Sequence, residues 1–567
     1  MEKWFIMLNK KLFTPFENNM PDIPWSEYPR PQLVRESYLN LNGSWDFQIK
    51  NKNEIKYNGK ILVPFCVESR LSGVERDVKK GDILIYQREF EIENGFLSDR
   101  TILHIGACDQ YAKVFINENL VGENYGGYLP FSFDISEFIK EGKNSIRVEA
   151  VDNLDKTLPY GKQKVKRGGM WYTPVSGIWQ TVWLESVPKN AITSIKAVCD
   201  NENVTLIIEG GEDKKVFSCD DKIIEFCGKT VTFSVENAVF WSPNNPKLYY
   251  FDIKSGNDKV SSYFALRDIK ILGDKILIND MPYFFNGLLD QGYYSDGIYT
   301  PATPQGYEYD IKAMKECGFN TLRKHIKIEP QLFYYYCDKL GMFVFQDFVN
   351  SGGYNFLIDT ALPTIGLKKG ITHFASKKRK DNFILMNKKM LDNLYNHPSV
   401  IYYTIFNEGW GQFEADKMYT LFKSYDNTRV FDTTSGWFFT KKSDVKSEHI
   451  YFRKLKLKKD TRPLILSEFG GYSYKASDHS FNPDKTYSYR FFDDNQKFQQ
   501  ALFELYENEV KESVKNGLQG AIYTQVSDVE DETNGLLTYD RQVLKVDKHK
   551  MYNINQMLYR AFEESLN

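Results

Sequence analysis

Cysteine is sparse in this sequence. The seven residues (66, 108, 199, 219, 227, 317 and 337) are an odd number with no CxxC pair, which fits neither a disulfide framework nor a structural zinc site. That usage points to a reducing compartment. Charge of one sign is missing too: 73 basic and 75 acidic residues leave a net of -2, so no global field draws the chain to DNA, RNA or an anionic membrane. The run Lys377-Lys378-Arg379-Lys380 is short and reads as a solvated loop. No apolar run approaches the ~18 residues of a membrane span. Trp4-Phe5-Ile6-Met7-Leu8, followed by Asn9-Lys10-Lys11, is too short for the apolar core of a secretory signal. The sequence therefore predicts a cytoplasmic protein with no membrane anchor and no nucleic-acid partner.

What remains is a folded chain of ordinary composition, with 42% hydrophobic and 26% charged residues and an aromatic content raised to 15%. Its 567 residues exceed one hydrophobic core and suggest about three or four domains. From about 38 to 187, short segments alternate in polarity with period two, as in Ser44-Trp45-Asp46-Phe47-Gln48-Ile49 and Ser145-Ile146-Arg147-Val148-Glu149-Ala150. Turn residues such as Asn117-Glu118-Asn119 separate them, so this part predicts an antiparallel sandwich. Residues 188 to about 270 repeat the style at immunoglobulin size, with Val204-Thr205-Leu206-Ile207-Ile208 as one strand. No periodic helix precedes residue 305.

After residue 280, apolar strand-like runs alternate with helical stretches, the pattern of parallel strands and crossover helices. Eight strands are expected at 284–289, 321–325, 342–347, 400–407, 430–434, 449–451, 464–468 and 521–525, with helices at 307–317, 331–340, 382–395 and 497–516. Eight strands in one such region predict a (β/α)8 barrel, and no GxGxxG or GxxxxGK[ST] follows any of them. The expected domains are 1–187, a jelly-roll sandwich; 188–270, an immunoglobulin-like sandwich; and 271–567, a TIM barrel.

A barrel of this kind carries its active site at the C-terminal ends of its strands. The fourth strand runs into Asn407-Glu408-Gly409-Trp410 and the seventh into Ser467-Glu468-Phe469-Gly470-Gly471. Each presents a carboxylate at the rim, and two such carboxylates across one mouth suit glycoside hydrolysis: one protonates the leaving oxygen, the other attacks the anomeric carbon or activates water. A lone rim glutamate would more simply tie loop amides together. The pair suggests work rather than packing.

The ordered set of motifs resembles glycoside hydrolase family 2, the β-galactosidases, β-glucuronidases and β-mannosidases, over nearly the whole chain. Leu41-Asn42-Gly43-Ser44-Trp45, Pro64-Phe65-Cys66-Val67-Glu68-Ser69 and Ser176-Gly177-Ile178-Trp179-Gln180 resemble its sugar-binding jelly roll. Trp241-Ser242-Pro243 with Pro246-Lys247-Leu248-Tyr249 resembles its immunoglobulin-like domain. Asn396-His397-Pro398-Ser399-Val400 leading to Asn407-Glu408, and Ser467-Glu468-Phe469-Gly470, resemble its catalytic motifs. The resemblance implies Glu408 as general acid/base, Glu468 as nucleophile, Asn407 on the sugar 2-hydroxyl and Arg323 steadying the nucleophile; His397 reads as a structural turn or cap.

Departures from the family's better-known members limit the sugar assignment. Lys324-His325-Ile326-Lys327 replaces the expected Ser-His-x-Pro, which leaves the role of His325 open. Tyr523-Thr524-Gln525 replaces the tryptophan platform of the eighth strand, so Trp410, Trp437, Tyr451 or Tyr523 must wall the sugar. Glu532-Thr533-Asn534 stands where glucuronidases carry an Asn-x-Lys grip and offers no cation, which argues against a glucuronide. The acidic run Asp528-Val529-Glu530-Asp531-Glu532 is read as hydrated rim carboxylates, with Gln525, Asp528 or Glu532 available for sugar hydroxyls. The stretch 350–381 is long enough to form a loop over the aglycone side. The expected protein is a retaining exo-β-glycosidase, β-galactosidase-like, acting on a small-molecule or oligosaccharide β-glycoside. Its alternatives are a mannoside, glucoside, arabinopyranoside or uronide as substrate, or a non-catalytic carbohydrate-binding role. No cofactor is required; magnesium is known in the family, but no ligand set stands out here. A homo-oligomer is a family-based expectation.

Overall fold

A computed structural model describes residues 12–364, 374–438 and 440–566. The N-terminal segment read above for a signal lies outside these residues, as does 365–373 of the expected loop. No helix among the described residues is long and apolar enough to cross a membrane.

The first sandwich pairs a four-stranded antiparallel sheet with a six-stranded one. Gly43–Asn51 shows why: its residues alternate buried and exposed, placing Trp45, Phe47 and Ile49 inward against Leu103, Ile105 and Val148. The hairpin between Tyr111–Ile116 and Asn119–Tyr125 turns through Asn117 and Glu118, both at positive φ (48° and 66°), which matches the twist of the strands it joins. The second sandwich has three strands facing four around Phe217, Phe233 and Phe251.

The barrel strands are β1 (Phe285–Asp290), β2 (Thr321–Lys324), β3 (Phe343–Asp347), β4 (Val400–Phe406), β5 (Val430–Thr434), β6 (Lys446–Ile450), β7 (Leu464–Phe469) and β8 (Leu518–Tyr523). Parallel pairing runs in the order β5-β4-β3-β2-β1-β8-β7-β6, so the ring is nearly closed. Between β5 and β6 the Asp444 N–H donates to the Phe431 carbonyl at 2.9 Å. Helices α1 (Gln305–Glu316), α2 (Gln331–Leu340), α3 (Lys377–Leu394) and α4 (Ala415–Tyr425) follow β1 to β4. Gly341 ends α2 in the left-handed region at φ 73°, and the Ser376 side chain caps α3 by accepting from the Arg379 N–H. The basic run 377–380 is therefore the first turn of α3 and not a loop. Its Arg379 is buried, donating to the carbonyls of Ser351 (2.9 Å) and Gly411.

The barrel interior is filled from below. Phe285, Phe343, Phe345, Ile401, Ile465 and Ile522 share one cluster with Trp241 and Tyr263 of the second sandwich. Trp241 meets the Phe343 ring edge-on at 5.5 Å and donates to the Asp338 carbonyl at 2.7 Å. The turn before β4 joins the same seam: His397 Nδ1 pairs with Asp338 at 2.6 Å, and the Asn396 side chain bonds the backbone of Ala197 and Ile195. His397 thus lies at the N-terminal end of β4, away from Glu408. At the opposite end, the first sandwich sends the segment between Gly142–Val151 and Gly177–Ile178 over the barrel mouth. There the Tyr160 hydroxyl donates to the Gly352 carbonyl at 2.7 Å and the Thr173 N–H to Glu530 at 2.9 Å.

Trp241→Ala would empty a fully buried indole site at the sandwich–barrel seam, a loss of about 3–5 kcal/mol. A lowered thermal midpoint in calorimetry is the expected result. An unchanged midpoint would mean that the seam contributes little to stability.

Candidate active site

The barrel mouth is organised around Arg323, at the end of β2 and fully buried. Its Nε donates to Asp347 Oδ1 at 3.0 Å. Nη1 donates to the Ser467 carbonyl and to Glu468 Oε1, both at 2.9 Å. Nη2 donates to Asn407 Oδ1 at 2.8 Å and to Ser435 Oγ at 3.2 Å. Five N–H groups therefore meet five acceptors, the full capacity of a guanidinium.

Glu408 follows β4 in a tight turn at φ 49°, and its backbone N–H donates to Ser435 Oγ at 3.2 Å. Glu468 projects from β7. One oxygen of each carboxyl and a ring nitrogen of His449 lie within 4.8 Å of one another. His449 Nδ1 lies 2.9 Å from Glu408 Oε1, and its Nε2 stands 3.4 Å from Arg323 Nη1, whose two hydrogens are already given to Ser467 and Glu468. The Tyr451 hydroxyl donates to Glu468 Oε2. The two carboxyls are driven apart electrostatically. Burial raises Glu408 above the ordinary glutamate range, and the nearby Glu468 charge adds to this against the His449 bond. Burial also opposes ionisation of Glu468, but His449, Arg323, His325 and Lys162 together bring it down to about 2.

His325 donates from Nδ1 to Asp347 Oδ2 at 2.7 Å, which turns Nε2 the other way as a buried nitrogen with no protein partner. Burial, with the Lys162 charge, lowers it to about 4, so the ring is neutral at pH 7 and Nε2 is an acceptor. Trp410 is buried between Trp171, stacked at 5.4 Å, and the edge of Tyr354 at 5.3 Å. Trp437 is half-buried beside His449. Gln525 is buried and donates to Asn534 Oδ1 at 2.8 Å.

Three sequence readings change here. Tyr451 stacks one face on Tyr489 at 3.7 Å and spends its hydroxyl on Glu468, so it is first a hydrogen-bond donor. Tyr523 is fully buried among Phe469 and Tyr506, which removes it as a sugar wall. The acidic run is not hydrated: Asp528, Glu530, Asp531 and Glu532 are all buried. Asp528 is held by Lys545 at 2.7 Å and the Gly535 N–H at 2.8 Å, a structural tie in place of the expected sugar contact.

The sequence reading missed Asp347, Ser435, His449, Lys162 and Tyr172. Asp347 and His449 carried a signal, because both lie at the C-terminal end of a barrel strand. Lys162 and Tyr172 had none, since they arrive from the other domain. Glu408, His449 and Glu468 are close enough to be considered for a metal, but the donor set does not fit one: both His449 nitrogens are engaged and a guanidinium sits against Glu468.

Residues 39–188 match the model of the glycosyl hydrolases family 2 sugar binding domain, and residues 269–556 match that of the family's TIM barrel domain. The chain belongs to glycosyl hydrolases family 2. Within this family it is 27% identical to a β-galactosidase of Thermoanaerobacter pseudethanolicus, over 46% of this chain and 39% of that protein. It is 24% identical to a β-galactosidase of Leuconostoc mesenteroides, over 81% and 46%. The chain thus spans less than half the length of these β-galactosidases. A β-glucuronidase of Streptococcus agalactiae is 23% identical and is matched over 92% of this chain and 96% of its own. A solved β-glucuronidase from an uncultured Clostridium superposes with a TM-score of 0.74 at 20% identity, covering 93% of this chain and 99% of that one, a likeness of fold.

Arg323→Met strands Asp347 and Glu468 as buried carboxylates and is expected to cost roughly 3–5 kcal/mol at pH 7. Both carboxylates are held low by the guanidinium, so their stabilisation is present above their ordinary range near ~4 and fades as pH falls towards ~2. Denaturant midpoints at pH 7 and pH 3.5 should show the gap between wild type and variant narrowing at the lower pH. A gap that widens on acidification would contradict this electrostatic account.

Proposed function

We propose that the protein is a retaining exo-β-glycosidase of the β-galactosidase-like kind. It acts by double displacement on a small-molecule or oligosaccharide β-glycoside, in the cytoplasm and without a metal. The observation that carries this is the opposite displacement of two buried carboxyls whose oxygens approach within 4.8 Å: Glu408 is held towards its acid form and Glu468 as a carboxylate. So short a separation suits a covalent intermediate and leaves no room for the water of an inverting reaction.

In the first step a Glu468 oxygen attacks the anomeric carbon, the bond to the leaving oxygen breaks, and Glu408 gives that oxygen its proton. In the second, Glu408 takes a proton from water, the water oxygen attacks the same carbon, and Glu468 departs as carboxylate. Arg323 and Tyr451 hold Glu468 in place and ionised. Asn407, whose Oδ1 is fixed by Arg323 and Ser435, keeps its NH2 for the sugar's 2-hydroxyl. The alternative substrates to a galactoside are a mannoside, glucoside, arabinopyranoside or uronide. A homo-oligomer remains part of the proposal.

A 2-deoxy-2-fluoro glycoside should leave an ester on Glu468, read by peptide mapping; a label elsewhere would remove the assignment. The pH dependence of kcat/KM should have a basic limb set by loss of the Glu408 proton, above the ordinary glutamate range, and an acid limb set by protonation of Glu468 near ~2. With Glu408→Ala and an activated nitrophenyl substrate, the basic limb should disappear. Its persistence would mean that another group is the acid.

A further inference from the structure

The seam between the second sandwich and the foot of the barrel holds a polar cavity of about 210 Å³. It is walled by the second sandwich at Ala197 and Ala265, by the link into the barrel at Arg267 and Asp268, by the turn before β4 and by the turn before β5. These are the N-terminal ends of the strands, opposite Glu408 and Glu468, so no step of the reaction above uses it. The volume is below the ~300–1,000 Å³ of sites for drug-sized ligands and suits an ion or one small group. Two guanidiniums meet on this wall: Arg267 Nη1 at 3.4 Å and Arg429 Nε at 3.2 Å both donate to the Val400 carbonyl, the first residue of β4.

The two arginines are not equally satisfied. Arg429 is buried and spends its other donors on the carbonyls of Tyr395 and His397 and on the Thr428 hydroxyl at 2.6 Å. Arg267 has only the long bond to Val400: its Nε is buried without a partner, and no acceptor is assigned to Nη2. Among the described residues no carboxylate lies within 4.0 Å of it. The carboxyls nearby are spent elsewhere. Asp268 pairs with Lys270 at 2.6 Å, and Asp426 accepts from the Thr428 hydroxyl at 2.6 Å and stands 3.5 Å from Arg429. Burial, with the Arg429 charge beside it, presses Arg267 down to about 9 against the pull of Asp426. A half-buried cation in this position favours an occupant of opposite charge, whereas water supplies acceptors without one. The edge formed by Nε and Nη2 is the side of a guanidinium that grips an oxyanion through two parallel bonds, and here both are unspent. Arg429 and Lys196, whose ammonium lies 3.9 Å from the centre of the Tyr395 ring on the same wall, add to the positive field and favour a dianion.

We propose that this cavity binds a phosphate group, with the Arg267 guanidinium as its principal ligand, and that the bound group ties the second sandwich to the foot of β4. Calorimetric titration of the whole protein with inorganic phosphate at constant ionic strength should show one saturable site. Arg267→Gln should bind roughly 10–100-fold more weakly, the loss expected when charge-assisted bonds go. Asn427→Asp, at the exposed edge of the cavity, should weaken binding in the same direction by adding a like charge without disturbing the packing. Thermal midpoints give a second reading: that of wild type should climb with the logarithm of phosphate concentration, and those of the variants should show only the small general rise that an excluded salt gives. A hexose monophosphate that binds more tightly than the free ion would make a phosphate ester the occupant; one that binds no tighter would leave inorganic phosphate. No binding to wild type, or affinities and midpoint shifts equal in wild type and both variants, would overturn the proposal. Neither result bears on the glycosidase reading, which concerns the other end of the barrel.

Discussion

Five acceptors from four strands converge on one guanidinium, and the geometry of the barrel mouth depends on that convergence. Arg323 of β2 reaches Asp347 on β3, Asn407 beyond β4, Ser435 beyond β5, and Ser467 with Glu468 on β7. Its sixth neighbour, His449 of β6, stands 3.4 Å away. The backbone ladder does not run between β5 and β6, which are linked instead through Asp444 and Ser447, and Arg323 meets Ser435 and His449 on either side of that gap. Only a planar fork with five donors spans such a set; a lysine has three hydrogens on one point. The desolvation of so large a cation is offset by the two carboxylates it orders, Asp347 and Glu468.

The same hub separates the two central carboxyls chemically. Glu468 touches the guanidinium and is held ionised, whereas Glu408 is raised by burial and by the Glu468 charge against its bond to His449. His449 stands between the two, with Nδ1 2.9 Å from Glu408 and Nε2 3.4 Å from Arg323. His325 is set in the same way by Asp347, leaving Nε2 towards the hollow. The barrel thus supplies a finished pair of carboxyls, but its roof comes from the first sandwich. Trp171, Tyr172 and Lys162 all lie on the segment that crosses over, and Trp171 stacks directly on Trp410. Docking of the two domains is therefore part of building the site.

The architecture was legible because burial writes itself into the sequence with a short period. β5 falls at 430–434 as the apolar pattern predicts, and the helix at 331–340 needs no adjustment. Glu408 and Glu468 were legible because each follows an apolar run at the end of a barrel strand. Asp347 and His449 obey the same rule and went unread, because their partners Arg323, His325 and Glu408 meet them only in the tertiary structure. Other features depend on distant partners and have no local signature. The acidic run 528–532 looks solvated until Lys545, Arg167, Tyr172 and Thr173 are brought against it. The basic run 377–380 looks exposed until Arg379 finds the carbonyls of Ser351 and Gly411. Lys162 belongs to a segment with no strand pattern at all, and only tertiary structure brings it beside Trp410 and Tyr172.

The aromatic surplus is resolved by the backbone at the end of β4. Glu408 adopts φ 49°, and Gly409 and Gly411 follow at 67° and 62°. For glutamate this conformation costs roughly 1–3 kcal/mol, so it persists only where its surroundings hold it. Ser435 accepts from the Glu408 N–H, and Arg379 donates to the Gly411 carbonyl. Neither glycine tolerates a side chain: a Cβ on Gly409 would lie 2.5 Å from the Phe438 ring and one on Gly411 2.0 Å from the Ser351 oxygen. The chain therefore reverses within Asn407-Glu408-Gly409-Trp410-Gly411. That reversal turns Glu408 towards Glu468 and sends the Trp410 indole towards Trp171 and Tyr354. Tyr523 is lost to the core and Trp410 is closed in between Trp171 and Tyr354, so of the rings first considered only Tyr451 and Trp437 stay half-buried. The indole Nε1 of Trp410 is buried without a protein partner, beside the Lys162 ammonium. Strain in one turn thus places the Glu408 carboxyl and a Trp410 indole with an unspent hydrogen-bond donor, and the first sandwich closes over both.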